Sequence, residues 1–193
     1  MFLLTDINKI FPHIYVDPGQ NTYVILDAAR NREIYPALLQ SKTDYHCLYA
    51  GRLSPVLKAA APYLVLLRKD HPFTPWLIEQ AWGNSWGIFL QSSADLEKMR
   101  RHFRRFLNVK DHRGKILYFR YYDPRVLRVF LPTCDYDQLH TMFGPISHYF
   151  VEGEDPSILI EYTFKDMKLE WRFIHLKIPE DNKTIADKTV RSS

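Results

Sequence analysis

The chain has 193 residues, 46% of them apolar and 15% aromatic, and a formal net charge of +4. That length buries a core without disulfide or metal staples and suits one domain, or one domain with a small addition. Two cysteines, Cys47 and Cys134, form no disulfide framework, no apolar run reaches membrane-spanning length, and "MFLLTDINKIF" lacks the basic start of a signal peptide, so a cytoplasmic protein is expected.

Residues 22–28, "TYVILDA", form an apolar β-branched run and read as a strand. "RNREIYPALLQS" follows, with Ile34, Leu38 and Leu39 at helical spacing and Pro36 in the first turn, where proline is tolerated. "YHCLYAG" (45–51) predicts a second strand ending at Gly51. "LSPVLKAAAP" predicts a short helix capped by Ser54, with Pro55 at its first position and Pro62 stopping it. "YLVLLR" (63–68) is apolar almost throughout, as a strand covered on both faces should be. Thr74 and Pro75 repeat the cap-and-proline signal before a helix over 74–82, and "WGIFLQS" (86–92) reads as the fourth strand.

Ser93 then opens a predicted long helix. Leu96, Met99, Phe103, Phe106 and Leu107 share one side of it, and Lys98, Arg100, Arg101, Arg104 and Arg105 the other. Residues 94–114 hold seven Lys/Arg against three Asp/Glu, which is the whole excess charge. This is a local basic face rather than a basic protein. It reads as a solvated helix face or as a surface for an acidic partner through Arg100, Arg101, Arg104 and Arg105. No groove-reading motif accompanies it, so nucleic acid is not an expected partner.

"KILYFRYYD" (115–123) predicts a fifth strand. Asp123 before Pro124 starts the next helix, with Arg120 or Arg125 placed to pair with the aspartate. Asp135 caps "YDQLHTMF", which Gly144-Pro145 closes. "ISHYFV", "SILIEYTF" and "LEWRFIHL" then read as strands without helices between them, and the polar tail lacks aromatics. The expected architecture is α/β: a mixed sheet with flanking helices, plus a small C-terminal β-rich extension or lobe. The boundaries read as a domain over 1–150, a β extension over 151–178 and a disordered tail over 179–193.

"GNSWG" (83–87) matches G-x-S-x-G, the nucleophile elbow of serine hydrolases. An elbow needs a strand before the serine and a helix after it. Here a helix precedes and a strand follows, so Gly83 reads as a helix-ending glycine and Ser85 as a turn residue. A hydrolase is carried as the alternative. Asp135, Asp137 and His140 lie close together, but capping explains the first, and a lone Asp137/His140 pair falls short of the ligand count a metal site needs. Neither a metal nor a cofactor is expected.

Four stretches in order, "YVILDAAR" (23–30), "APYLVLL" (61–67) with "WGIFLQSS" (86–93), "LYFRYYDPRVL" (117–127) and "FGPI" (143–146), resemble the type VI secretion effector chaperones, an adaptor family formerly catalogued as a domain of unknown function. The resemblance covers residues 20–150 and implies a non-enzymatic bacterial cytoplasmic adaptor. Such a protein binds a toxic effector, commonly near the effector's N-terminus, and helps load it onto the VgrG spike protein. The region after residue 150 is shorter than in many relatives. A ring-rich chain without an assembled active site suits a groove for an apolar or amphipathic segment. The residues expected to line or support that groove are Tyr63, Trp76, Trp86, Arg120, Tyr121, Tyr122, Asp123 and Arg125.

Overall fold

The computed structural model describes residues 7–110 and 113–176. The expected disordered tail and the first six residues lie outside the described residues. One seven-stranded sheet organises the chain: β1 (Asn21–Asp27), β2 (Tyr45–Cys47), β3 (Pro62–Leu67), β4 (Gly87–Ser92), β7 (Ile146–Glu152), β8 (Ile158–Lys165) and β9 (Lys168–His175). Their order is β2-β3-β1-β4-β7-β8-β9, and every neighbouring pair is antiparallel. A separate hairpin pairs β5 (Asn108–Lys110) with β6 (Ile116–Tyr118).

The α/β class and the β-rich C-terminal region are those expected. The antiparallel pairing needs an explanation, because alternating strands and helices usually build parallel sheets. Each crossover here skips a strand. β1 runs through α2 (Ile34–Ser41) to β2, leaving room for β3 between them. β3 runs through α4 (Phe73–Ala81) to β4, with β1 between. The two crossovers interleave, so strands that are parallel to one another never touch. The C-terminal strands then extend the same sheet as a meander from β4, and the expected boundary at 150/151 falls within β7.

Alternation along each strand divides the apolar side chains between two cores. Tyr23, Ile25, Leu64, Ile88, Leu90, Tyr149 and Val151 face one side, against α5 (Leu96–Arg104), α6 (Pro124–Phe130) and α7 (Tyr136–Phe143). Val24, Leu26, Val65, Phe89 and Phe150 face the other, against α1 (Ile7–Ile14), α2 and α4. Helices cover both faces of the central strands, which is why β1, β3 and β4 read as apolar runs rather than alternating ones.

Several local signals hold. Ser54 Oγ accepts from Leu57 N–H at the start of α3 (Pro55–Ala59), Asp123 caps α6, and Asp135 with Gln138 forms a capping box on α7. Others shift. Asp95, not Ser93, caps α5, which runs only from Leu96 to Arg104. Thr74 lies inside α4 and donates its hydroxyl to the Arg68 carbonyl at 2.7 Å. The predicted strand over 115–123 keeps only Ile116–Tyr118. The rings after it are core: Tyr121 is fully buried, stacked on Phe103, and donates its hydroxyl to the Phe103 carbonyl. The helix α1 escaped the sequence reading because Pro12 interrupts its pattern, although Ile10 and Ile14 pack into the core.

Gly87 fixes how closely β4 approaches β1. A Cβ there would lie 2.0 Å from the Ile25 carbonyl oxygen and 2.9 Å from its carbon, both backbone atoms that cannot move aside without parting the two strands. Gly87→Ala is expected to destabilise the fold by more than about 3 kcal/mol, the range of severe core overpacking. Denaturant unfolding of the purified variant measures this, and near-wild-type stability would show that β1 and β4 can separate.

Candidate functional site

One end of the sheet gathers charged side chains from segments far apart in sequence. Asp27 ends β1 and is 1% exposed. Its Oδ1 accepts the Ala29 N–H at 3.0 Å, while Oδ2 has no hydrogen-bond partner among the described residues and faces Arg120 at 3.9 Å. Burial pushes its pKa up, and Ala29 and Arg120 only partly offset that. Asp123, also buried, takes Arg125 as a fork: Nε on Oδ1 at 2.9 Å and the terminal nitrogen on Oδ2 at 2.6 Å. Burial lifts the Asp123 pKa, but Arg125 outweighs it and holds the carboxyl below its ordinary value. The "YVILDAAR" and "FRYYDPRVL" stretches therefore converge here.

A third buried carboxylate explains "GNSWG". Glu152, at the end of β7, accepts the Gly83 N–H at 2.8 Å, the Ser85 N–H at 2.9 Å and the Ser85 hydroxyl at 2.7 Å. Burial raises its pKa against these three donors and the nearby Arg128. Gly83 and Ser85 both adopt the left-handed conformation, with φ of 79° and 53°. The segment is a helix end and a turn leading into β4, and the serine hydroxyl is committed to a carboxylate. Among the described residues its only hydrogen-bond partner is Glu152. Arg128 of α6 donates to the Glu152 backbone carbonyl at 2.6 Å, so this residue ties the turn, β7 and α6 together.

Beside this cluster, α6 and the β8–β9 hairpin enclose an open groove of about 770 Å³. Its floor and walls include Val129, Pro132, Ile158, Tyr162, Trp171 and Phe173, with Arg125 and Arg128 along it. Val129 is 70% exposed, Trp171 51% and Phe173 58%. Single exposed apolar residues are ordinary, but large ones sharing one concavity mark a contact surface. Among the described residues the helix cover of the sheet stops short of β9, and six of the strand's eight residues are exposed.

The other predicted site residues are divided among several places. Trp76 and Trp86 pack together on α4 and before β4, their ring centroids 6.3 Å apart. Tyr121 and Tyr122 are buried on the opposite face of the sheet. Tyr63 stacks on Tyr35 and meets Tyr45 edge-on beside a second concavity of about 820 Å³ at the β2 edge. Arg100 lines that same concavity and pairs with Glu97 at 3.2 Å. Arg101 and Arg105 are exposed and Arg104 is half-buried, while the guanidinium of Arg105 lies 2.9 Å from His102 Nδ1. Arg125 is the one predicted residue in the α6–β9 groove. Sequence reasoning passed over Val129, Trp171 and Phe173, although Leu169, Trp171 and Phe173 alternate on what is a terminal strand. Among the described residues no group of three or more His, Cys, Asp or Glu is placed to hold a metal ion, and no helix is long and apolar enough to cross a membrane.

Residues 22–141 match the model of a family described as a domain of unknown function (DUF4123). No curated protein and no solved structure matches the chain. The matched segment runs from β1 into α7, so it supplies the α6 wall of the groove but not the β8–β9 wall.

The buried orphan oxygen of Asp27 has a measurable consequence. Because its folded pKa lies above the unfolded value, the protonated form favours the fold and the ionised form at neutral pH opposes it. Asp27→Asn is expected to raise stability at pH 7, with the gain shrinking as pH falls through the aspartate's folded pKa. Denaturation curves across that pH range check it, and a destabilised variant at pH 7 would mean that Arg120 compensates the charge in full.

Proposed function

The chain belongs to the DUF4123 family of unknown function, and we propose that it is a non-enzymatic adaptor that captures a type VI secretion effector in the bacterial cytoplasm and presents it to the VgrG spike protein. The groove between α6 and β8–β9 is the observation that carries this reading. It combines a broad apolar surface with two arginines and two acidic residues, Glu154 and Asp155. That composition suits an amphipathic segment whose apolar side chains enter the groove and whose acidic groups or backbone carbonyls meet the guanidiniums. An effector segment near its N-terminus, unfolded when free, would order on binding and so be held at modest affinity per area, which eases later hand-over.

The position of the groove supports the same reading. One wall is α6, from the "FRYYDPRVL" stretch that carries the resemblance to the effector chaperones. The other comes from strands outside the family-matched segment, where differences between relatives would change which effector fits. Arg128 anchors the α6 wall to the Glu152 carbonyl at the end of β7, the strand that β8 pairs with, and an anchored wall leaves binding less ordering entropy to offset.

Val129→Asp and Trp171→Ala are expected to abolish or reduce at least tenfold the co-purification of the effector encoded beside this chain, while circular dichroism and thermal stability stay near wild type, because both side chains are mostly exposed. Ser85→Ala should leave capture unchanged. Full capture by the folded Val129→Asp protein would remove the groove from the mechanism.

A further inference from the structure

We propose that β9 is a self-pairing edge: two copies of this chain join antiparallel through it, about a two-fold axis perpendicular to the sheet, making one continuous sheet of seven plus seven strands. This goes beyond the effector reading and does not depend on it: the pairing rests on the backbone edge of the strand and on Glu170 and Arg172, with Trp171 and Phe173 shared between this edge and the groove.

Among the described residues β9 is the last strand of the sheet and one of its two longest, at eight residues. Long open edges are normally shortened, bulged or covered, because their free N–H and C=O groups template pairing. Which groups are free follows from the ladder. The Leu176 N–H donates to the Ser157 carbonyl at 2.7 Å, and Ile158 stands opposite His175. In an antiparallel ladder the hydrogen-bonded pairs alternate, so the even-numbered residues of β9 turn their backbone groups to β8. The backbone groups of Leu169, Trp171, Phe173 and His175 therefore point outward.

The side chains select the second copy as occupant and fix its register. Pairing Trp171 with Trp171 of the other copy sets Leu169 opposite Phe173 and Glu170 opposite Arg172, twice each by symmetry. Both outward-facing apolar pairs fall on hydrogen-bonded positions. Both charge pairs fall on non-hydrogen-bonded positions, where side chains approach most closely and opposite charges are favourable. Shifting by one allowed step in either direction sets Arg172 against Arg172, or Glu170 against Glu170 with Lys168 against Arg172. Like charges directly opposite destabilise such pairs, so one register is favoured and its neighbours are disfavoured. Within the chain Arg172 already pairs with Glu161, which in turn binds His148 at 2.8 Å. The glutamate of the second copy continues that alternation of charge across the strands. Glu170 and Arg172 are both exposed and lie on the face opposite the α6–β9 groove. The apolar strips of the two copies would meet on the groove side.

The test is the mass of the full chain by sedimentation or light scattering across a concentration series. The wild type is expected to be a dimer that dissociates on dilution. Glu170→Arg alone and Arg172→Glu alone should each be monomeric, since each creates two like-charge pairs. Mixing these two variants should restore a dimer, one chain of each, because all four opposed charges are then complementary. Phe173→Pro, which removes an outward N–H and leaves the β8 ladder intact, should be monomeric with unchanged circular dichroism. A wild type that stays monomeric throughout, a Glu170→Arg protein that remains dimeric, or a folded mixture that stays monomeric would each overturn the proposal. So would a monomeric wild type whose β9 edge becomes protected from hydrogen exchange only when the co-expressed effector is bound, because the occupant would then be a different chain. Should Arg172→Glu disturb the fold through Glu161, the Glu170→Arg and Phe173→Pro arms decide alone.

Discussion

Glu152 is the tie on which the rest of the arrangement depends. Its carboxylate gathers two backbone N–H groups and a hydroxyl from the turn before β4, and its carbonyl takes Arg128 from α6. Three elements distant in sequence meet at one buried residue at the end of β7. Glu152 is itself buried, and without those donors its carboxylate would be a buried polar group lacking partners, a loss that costs at least about 1–3 kcal/mol. The consequence reaches beyond the turn: the helix carrying Arg125, Arg128 and Val129 is set at a fixed distance from the meander that carries Trp171 and Phe173. The groove exists because α6 is anchored to β7 while β9 continues past the end of the helical cover.

The same geometry accounts for most of the charged cluster at the sheet end. Three buried carboxylates, Asp27, Asp123 and Glu152, sit near Arg30, Arg120, Arg125 and Arg128. Two of the three are absorbed by structure: Asp123 caps a helix and grips Arg125, and Glu152 holds the turn. Asp27 alone keeps an oxygen without a hydrogen bond, and its raised pKa is a desolvation effect of that position. Ser85, the residue that invites a hydrolase reading, is a donor to Glu152 in a strained turn. In the described residues the strand-then-helix order of a nucleophile elbow is reversed.

Much of the central architecture was legible because it depends on local chemistry. Ser54, Asp123 and Asp135 cap the helices their sequences mark, and Gly83 ends α4. The apolar runs of β1, β3 and β4 follow from being covered twice. What was not legible depends on long-range choices. The order of strands follows from two interleaved crossovers, which no local periodicity encodes. The aromatic run after Tyr118 satisfies strand propensity and core burial equally, and packing of Tyr121 on Phe103 decides in favour of the core. The groove was missed for a related reason: an alternating strand such as β9 announces one apolar face, but only the absence of a covering helix makes that face available. The sequence marks Arg125 through its pairing with Asp123, and its place on the groove follows from where α6 lies.

Hydrogen–deuterium exchange of the chain alone and with the proposed effector co-expressed tests the proposed docking assignment most directly. The account predicts that slowed exchange concentrates in residues 125–132 and 158–173, the two walls of the groove, with the β2 edge and the exposed face of α5 unchanged. Protection confined to residues 43–58 and 96–105, with the groove exchanging as in the free chain, would contradict it.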